Sequence, residues 1–448
     1  MMQLTVRYAL IVCGLLFAPL GATAQAAVFN PETFTLDNGL QVVVIPNKRV
    51  PVVSHTIYYK VGAMDEPPAK SGLAHYLEHL MFKGTKNLKP GEFSQIVARN
   101  GGRENAFTSQ DYTGYYQLVA SDRLEKMMEI EADRMTNLVL TDEQIEPERG
   151  VVLEERRSRI ENSPRGKLGE MTGPVLYQNH PYRVPIIGWE HEIRDLSRDD
   201  LIAFYRDWYA PNNAVLVLSG DVTAADVRPL VEKHYGKIPA RPLPKRPEWK
   251  EPPREGDKRI TLKHEQVRQP AWARRMLAPS YATGPADDTY ALQVLSEILG
   301  GGSTSRLYRS LAVEQRKAVA AGAWYDPDAR GPGTFGFYGS PRVGSSVEEI
   351  EQLVDAEVTK LLKDGVTEGE VTEAIQRLQD AAIFARDSLT APSRVIGGAL
   401  AAGRTVDDVE SWPERIGAVT VDDVNRAARS LLTKDGSVTT VLLPEETS

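Results

Sequence analysis

The sequence predicts an α+β protein made of two homologous α/β sandwiches, each a mixed sheet packed by helices, joined by a proline-rich linker. Three observations predict this fold class. Strand-like and helix-like segments alternate along the chain. The two halves repeat a similar order of segments. Between them, residues 237–258 hold six prolines among many charges, which is typical of an extended linker.

Length and charge limit the class of protein. The chain has 448 residues, enough for about two to four domains of roughly 100–200 residues each. We assign residues 1–26 to a signal peptide, 27–238 to a first domain, 239–257 to the linker and 258–448 to a second domain. The net charge is −8, so no basic field is available to hold nucleic acid.

The N-terminal segment has the pattern of a secretory leader. Arg7 precedes an apolar run at 8–20, and small residues at 22–27 offer a cleavage site after Ala24 or Ala26. The run is too short to span a membrane comfortably, so we expect no membrane anchor in the mature chain. An N-terminal core strand or helix is the alternative. We expect export, to the periplasm first and as a secreted protein second.

The only cysteine, Cys13, lies inside that leader. We therefore expect a mature chain without a disulfide, whose stability depends on its hydrophobic cores. A thiol nucleophile and a cysteine metal site are excluded for the same reason.

The first predicted elements are a hairpin, a strand and a helix. Asn38-Gly39 joins the apolar runs 34–36 and 40–45, and this dipeptide favours a tight turn because both residues tolerate positive φ. Residues 52–61 alternate as a strand does. Residues 71–82 have apolar side chains at helical spacing.

Later elements follow the same two periodicities. Residues 113–119 predict a strand, and 121–138 predict a helix capped by Ser121. A further helix is predicted to follow Pro147, because proline suits a first helical turn. Residues 214–218 have the composition of a buried strand.

The second half repeats part of this layout without its polar helix. The helical stretch 201–204 leads to the strand at 214–218, and 424–427 leads in the same way to 438–442. Residues 290–299 predict an apolar helix that matches 71–82 in its place along the half.

The polar residues of helix 71–82 carry the chemistry. His75 and His79 lie one turn apart on one helix face, and Glu78 lies on that face too. Two imidazoles at this spacing can reach one Zn²⁺, and the carboxylate beside them can accept a proton from a water activated by the metal. This is the H-x-x-E-H arrangement.

Coincidence on a solvated helix face is the alternative explanation. The chain has only seven histidines, and two of them occur on this otherwise apolar helix. Polar groups at such positions need partners. The sequence therefore predicts one zinc ion per chain, with Glu78 as the general base.

These residues resemble the inverted zincins, the family of pitrilysin, insulin-degrading enzyme and the mitochondrial processing peptidase, and most of all its short members. The resemblance implies a third ligand at Glu155 and an assisting glutamate at Glu148, seven residues earlier. Without it, Glu154 and Glu155 are equally good candidates for the third ligand. A solvated helix charge is the alternative role of Glu148.

The resemblance extends over nearly the whole mature chain. Residues 101–109 are similar to an edge strand that pairs with extended substrate in that family, which implies contacts from Asn105 and from the backbone of Ala106 and Phe107. A turn role is the alternative for Asn105. Residues 179–188 also match a family segment, in which we interpret His180 as structural.

The second half departs from the family pattern. It has no H-x-x-E-H motif, so we expect it to pack and bind substrate without holding a metal. Family members that work alone carry an Arg and a Tyr, seven residues apart, that hold the substrate backbone; these positions fall near Ala312 and Val319. Their absence, together with the length, implies a heterodimer with a homologous subunit that lacks the zinc motif. A homodimer is the second choice.

Two glycine motifs are set aside. Residues 331–336 match G-x-G-x-x-G but open no helix, and the glycines at 300–302 lack the Lys-Ser/Thr pair of a phosphate loop.

The predicted function is a zinc-dependent endopeptidase that cuts short or unfolded peptides. The rival functions are a non-catalytic assembly or scaffold subunit and a structural zinc protein, and three ligands beside a free carboxylate favour catalysis.

Overall fold

The computed structural model of the chain describes residues 28–445. The predicted signal peptide, residues 1–26, and Cys13 within it lie outside the described residues. The predicted fold class is confirmed, because the described part of the chain forms two mixed sheets that are each packed by helices.

The first half contains a six-stranded sheet. Its strands are β1 (Glu32–Thr35), β2 (Gln41–Pro46), β3 (Val52–Tyr59), β4 (Arg103–Thr108), β5 (Thr113–Ala120) and β6 (Ala214–Gly220). Their order in the sheet is β1-β2-β6-β3-β5-β4, with β2 and β6 parallel and the other neighbours antiparallel. The predicted hairpin is confirmed, since β1 pairs with β2 and Thr35 lies opposite Gln41.

The first half also contains helices, and all but the fifth, which packs on the sheet of the second half, cover one face of this sheet. They are α1 (Leu73–Leu80), α2 (Glu92–Arg99), α3 (Leu124–Asn137), α4 (Asp142–Arg156), α5 (Pro164–Leu176), α6 (Glu190–Asp195), α7 (Arg198–Trp208) and α8 (Ala224–His234). Side chains such as Ile57 of β3 and Leu216 of β6 form one buried core with Leu77 of α1 and Met128 of α3. This core fixes α1 against the sheet.

Two predicted helix starts are wrong. Residues 121–123 form a short 3₁₀ turn before α3, and the Ser121 hydroxyl donates to Asp221 at 3.2 Å instead of capping the helix. Helix α4 begins at Asp142, where Thr141 and Gln144 form a capping box, so Pro147 lies inside the helix. The reciprocal cap of two backbone groups outweighs the proline signal.

The second half contains a five-stranded sheet. Its strands are β7 (Lys258–His264), β8 (Ala271–Ala278), β9 (Ala318–Asp326), β10 (Gly333–Pro341) and β11 (Val438–Pro444). Its helices are α9 (Ala286–Gly300), α10 (Val347–Asp364), α11 (Glu368–Ala385), α12 (Ala391–Ala401), α13 (Val406–Glu410), α14 (Trp412–Gly417) and α15 (Val421–Leu432). The predicted apolar helix at 290–299 lies within α9 and is buried.

The two sheets have the same topology. The second runs β7-β11-β8-β10-β9, which repeats the order β2-β6-β3-β5-β4 of the first. In both, the first pair is parallel and the remaining pairs are antiparallel. The predicted repeat is therefore confirmed, and β4 and β9 are equivalent strands at open sheet edges.

The halves exchange helices. Helix α12 of the second half packs on the outer face of the first sheet, where Ile396 and Leu400 join a buried cluster with Val43 and Val217. In return, α5 of the first half lies on the outer face of the second sheet, with Leu176 against Val438. Each half therefore completes the core of the other.

The stretch between the halves has no regular secondary structure. Residues 239–257 form neither helix nor strand. The stretch is nevertheless anchored: Arg246 pairs with Asp65 at 2.6 Å, and its guanidinium lies 4.5 Å from the centre of the Trp208 ring.

Among residues 28–445, no helix combines the length and the apolar character needed to cross a bilayer.

Candidate metal centre and active site

Helix α1 is held in place at its first turn. Gly72 has φ of 85°, and a Cβ there would lie 2.6 Å from the carbonyl oxygen of Ile187, so only glycine fits. The Glu66 carboxylate accepts the backbone N–H groups of Gly72 at 3.0 Å and Ala74 at 2.8 Å. These bonds satisfy helix donors that have no partner in the helix, and they fix the direction of α1.

Three side chains converge beside this helix. Oε2 of Glu155 on α4 lies 3.5 Å from Nε2 of His75 and 3.2 Å from Nε2 of His79. One ligand atom from each of the three residues lies within 4.8 Å of the others. Glu155 Oε2 is buried without a hydrogen-bond partner among the described residues. Two imidazole nitrogens and one carboxylate oxygen fit Zn²⁺, with a fourth position open.

The second nitrogen of His79 is occupied. Its Nδ1 lies 2.9 Å from Oε1 of Glu148, which also pairs with Lys83. A proton on Nδ1 that is donated to this carboxylate leaves Nε2 free as the ligand atom. Glu148 thus contacts a candidate ligand and not the convergence point itself.

The two histidines have opposite pKa shifts. Burial, together with the charge of His79, lowers the pKa of His75 to about 4. Burial also acts to lower the pKa of His79, but the carboxylates of Glu148 and Glu155 outweigh it and raise that pKa to about 9. With these pKa values His75 is neutral near pH 7 and His79 is protonated, so a metal ion held by both would require His79 to release its proton.

Glu78 lies beside the three converging side chains. It is only 8% exposed, and its Oε2 accepts the Thr108 hydroxyl at 2.5 Å. Burial raises the pKa of Glu78, against the opposing effect of the Thr108 hydrogen bond. A raised pKa makes the carboxylate a better proton acceptor near neutral pH. Thr108 at the end of β4 thus orients the candidate base.

A further contact at Glu155 was not predicted from the sequence. Helix α4 continues into a π-helical segment, Arg157–Glu161, and Arg159 within it donates to Oε1 of Glu155 at 2.6 Å. This contact leaves Oε2 to face the histidines. The spacing of four residues between Glu155 and Arg159 was the available signal.

An open cleft of about 1200 Å³ surrounds the converging side chains. Residues 105–108 of β4 line it, and residues 185–187 lie among its other walls. Because β4 is at the edge of the sheet, its outer backbone groups are free to pair with an added strand. The Ala106 N–H is donated to the Asn105 side chain at 2.9 Å, so an incoming carbonyl group would have to displace that amide.

His180 and the glycine motif at 331–336 lie in the packed interior between elements and take no part in the cleft around Glu155. His180 is buried, and its Nδ1 accepts the Tyr182 N–H at 3.3 Å. The N–H of Gly331 is donated to the Tyr182 hydroxyl at 2.9 Å, and a Cβ there would lie 2.5 Å from Nε2 of His180. This glycine therefore permits a close contact between the halves, and Gly333 opens strand β10 instead of a helix.

The glycines at 300–302, and the two positions where an Arg and a Tyr were expected to hold the substrate backbone, also lie in structural surroundings. Gly300 ends α9, and a Cβ there would lie 2.0 Å from the Ala323 backbone nitrogen. Ala312 is buried in a second π-helical segment, and Val319 is 48% exposed on the edge strand β9. Neither position carries a group that can hydrogen-bond a peptide through its side chain.

Two family models match this sequence. One, described as Insulinase (Peptidase family M16), matches residues 41–188, and the other, described as Peptidase M16 inactive domain, matches residues 195–378. The Zinc protease PqqE of Helicobacter pylori is 34% identical over 377 residues, which are 83% of this chain and 84% of that protein.

Solved structures share the fold. A protease from Helicobacter pylori has a TM-score of 0.85 at 32% identity, covering 92% of this chain and 99% of that chain. The periplasmic protease PqqL of Escherichia coli has a TM-score of 0.80 at 19% identity, covering 94% of this chain but 48% of PqqL. The chain therefore has the fold of about half of PqqL.

Proposed function

The chain belongs to the insulinase family of peptidases, peptidase family M16, and on that premise we propose that it is a zinc-dependent endopeptidase. It hydrolyses short or unfolded peptides. The observation that carries the proposal is the convergence of His75, His79 and Glu155 beside the buried carboxylate of Glu78.

Each residue has a role in the proposed reaction. His75, His79 and Glu155 hold Zn²⁺. When bound, this ion lowers the pKa of a water molecule and polarises the scissile carbonyl group. Glu78 accepts the proton of the attacking water and passes it to the leaving amine. Glu148 assists by fixing the imidazole of His79.

The edge strand β4 positions the substrate. An extended peptide pairs with the backbone of Ala106 and Phe107, and Asn105 exchanges its present bond to the Ala106 N–H for a contact with the peptide. Backbone pairing demands little of the substrate sequence. It does demand an extended chain, which favours short or unfolded peptides.

The proposed partner is a homologous subunit without the zinc motif, with a second copy of this chain as the alternative. Two observations support a partner: the chain corresponds to about half of PqqL, and the positions near Ala312 and Val319 lack an Arg and a Tyr. A partner supplies the missing half of the substrate grip. Full peptidase activity from a monomer in light scattering would exclude this arrangement.

We also propose that the chain is exported to the periplasm, as the name of PqqL states for that protein. The leader pattern at residues 1–26 supports export. Cell fractionation with an antibody, together with N-terminal sequencing of the mature protein, tests both points. A cytosolic protein that retains residue 1 contradicts them.

The decisive experiment separates metal binding from chemistry. Glu78→Gln should retain about one zinc by elemental analysis and lose peptide cleavage, because the metal ligands remain and the base is gone. Glu155→Gln should lose zinc, whereas Glu154→Gln is the matched control, since the exposed Glu154 side chain pairs with Arg157. A Glu78→Gln protein that cuts peptides at the wild-type rate refutes the assigned base.

Two rival functions predict different results. A non-catalytic scaffold subunit binds no stoichiometric zinc and cuts no peptide in the presence of its partner. A structural zinc protein loses its fold when the metal is chelated. Elemental analysis, cleavage of a peptide library followed by mass spectrometry, and circular dichroism before and after chelation distinguish the three functions.

A further inference from the structure

A second cavity lies against β4 on the side away from the α1 helix. Its volume is about 420 Å³, and β3, β4, β5 and the first turn of α12 form its walls. We call it the outer-face cavity. Residues 105–107 line both this cavity and the cleft that holds His75 and Glu78, so the two spaces adjoin along β4.

The lining of the outer-face cavity combines apolar surface with hydroxyl groups and a single positive charge. Among the described residues that line it, Arg394 alone carries a charge, and no carboxylate lines it. Hydroxyl groups also line the cavity; they belong to Ser54, Thr56, Tyr58, Tyr112, Tyr116, Thr390 and Ser393. The Tyr58 hydroxyl already donates to the carbonyl oxygen of Ser393, and the Ser54 and Thr56 hydroxyls bond to each other. A site whose only charge is a cation, with hydroxyl groups and no acid in its lining, favours an anionic ligand.

Arg394 has no internal partner. It is exposed, and within residues 28–445 its side chain makes neither an ion pair nor a hydrogen bond. An arginine with a structural role is expected to pair with an acid, as Arg404 pairs with Asp328 at 2.9 Å nearby. The guanidinium of Arg394 is therefore free to bind a carboxylate in a forked geometry.

Two features of α12 add to this preference. The helix starts at Ala391, so its first turn, with the positive end of its dipole, forms one wall of the cavity. In that turn Ser393 is only 2% exposed, and its hydroxyl has no hydrogen-bond partner in the described part of the chain. A buried hydroxyl without a partner is uncommon and is a further donor for an anion.

Strand geometry connects this cavity with the substrate. On β4, Ala106 and Thr108 face the α1 side, where Thr108 contacts Glu78, whereas Asn105 and Phe107 face the outer-face cavity. Phe107 packs there against Tyr58, with ring centres 5.7 Å apart. A peptide paired with β4 therefore directs every second side chain to the outer face.

We propose that the outer-face cavity is a specificity subsite that binds the carboxylate of an acidic residue, glutamate in preference to aspartate, in the bound peptide. This inference rests on the proposed peptidase function. The added strand lies about 4.8 Å from β4, so a glutamate side chain on the outer side extends over β4 into the cavity that Arg394 also lines. The recognised residue lies on the strand section opposite Asn105 or Phe107.

The test compares peptides that differ in one residue. A single Glu is moved through each position on both sides of the cut, and kcat/KM is measured against the matching Gln peptide. At one or two positions of the same alternate series, wild-type protein should prefer Glu. Arg394→Gln should reduce that Glu-to-Gln ratio about tenfold, which is the usual effect of losing a charge-assisted hydrogen bond.

Charge reversal and a matched control complete the design. Arg394→Glu should reverse the preference in favour of a Lys peptide at the same positions, and Arg394→Lys should keep part of the preference for Glu. Arg342→Gln removes an exposed charge from the turn after β10 and should leave the ratio unchanged. A Glu-to-Gln ratio that does not respond to any Arg394 substitution overturns the subsite.

Failure of the proposed function gives a different result. If wild-type protein cuts no peptide either alone or with its homologous partner subunit, the endopeptidase function is refuted, and binding decides the fate of the subsite. Fluorescence anisotropy of labelled Glu and Gln peptides with Glu78→Gln protein, with and without Arg394→Gln, then measures the same ratio as a ratio of Kd values. Equal Kd values for the two peptides overturn the subsite independently of cleavage.

Discussion

Replacing Glu148 with Gln should weaken zinc binding about tenfold to a hundredfold. The Glu148 carboxylate lies 2.9 Å from Nδ1 of His79 and also pairs with Lys83. A hydrogen bond to a charged group contributes about 1.5–3 kcal/mol, and about 1.4 kcal/mol corresponds to a factor of ten. Glutamine keeps the shape of the side chain but accepts the N–H as a neutral group, so His79 becomes a weaker ligand.

The assay is the Kd for Zn²⁺ in competition with a chelator of known affinity. Glu154→Gln is the matched control on the same helix, since the Glu154 side chain is 64% exposed and pairs with Arg157. Adding Lys83→Met to Glu148→Gln should recover part of the affinity, because the substitution removes an unpaired positive charge near the metal. A folded Glu148→Gln protein with the wild-type Kd refutes the assigned role of Glu148.

Three further predictions concern the core, the pH dependence and the helix exchange. Glu131→Ala leaves the guanidinium of Arg134 buried without the carboxylate now 2.8 Å from its Nε, so the free energy of unfolding in urea should fall by about 3–5 kcal/mol. The pKa of His79 is about 9 in the fold and about 6.5 in an unfolded chain, so its stabilisation of the zinc-free protein is complete below pH ~6.5 and is lost as the pH rises to ~9. Thermal melts of the zinc-free protein across this range should show the fall. Residues 27–238 expressed alone should aggregate, because the outer face of their sheet lacks α12, and co-expression of 258–448 should restore soluble protein in size-exclusion chromatography.

Each of these predictions has a contrary result. An unchanged unfolding midpoint for Glu131→Ala would show that Arg134 does not need its carboxylate. A melting temperature of the zinc-free protein that stays constant between pH ~6.5 and ~9, relative to His79→Gln protein, would contradict the raised pKa. A soluble monomer of residues 27–238 with native circular dichroism would show that the halves do not depend on each other.

Local patterns made several elements predictable. The hairpin at Asn38-Gly39, the helix with His75 and His79, and the strand at 214–218 depend on residues close together in sequence. Turn chemistry, helical spacing and alternation act over a few residues, so a single sequence contains them completely. The starts of α3 and α4 were mispredicted because Ser121 and Pro147 each suit more than one local geometry.

The third candidate ligand was beyond local reasoning. Glu154 and Glu155 are adjacent, and family resemblance alone favoured Glu155. In the fold, Glu155 faces the histidines and Glu154 points to solvent, where it pairs with Arg157. This difference depends on how α4 is rotated against α1, and that rotation is set by packing of residues distant in sequence.

The sequence by itself determined the two-sandwich class, the repeat and the helix that carries His75, Glu78 and His79. Only the tertiary structure decided that α12 and α5 cross between the halves, and that Arg394, unpaired among the described residues, lines the same cavity as β4. The physical reason is that an amphipathic pattern specifies which face of a helix is buried, while the surface that buries it is chosen by shape and contact between distant segments.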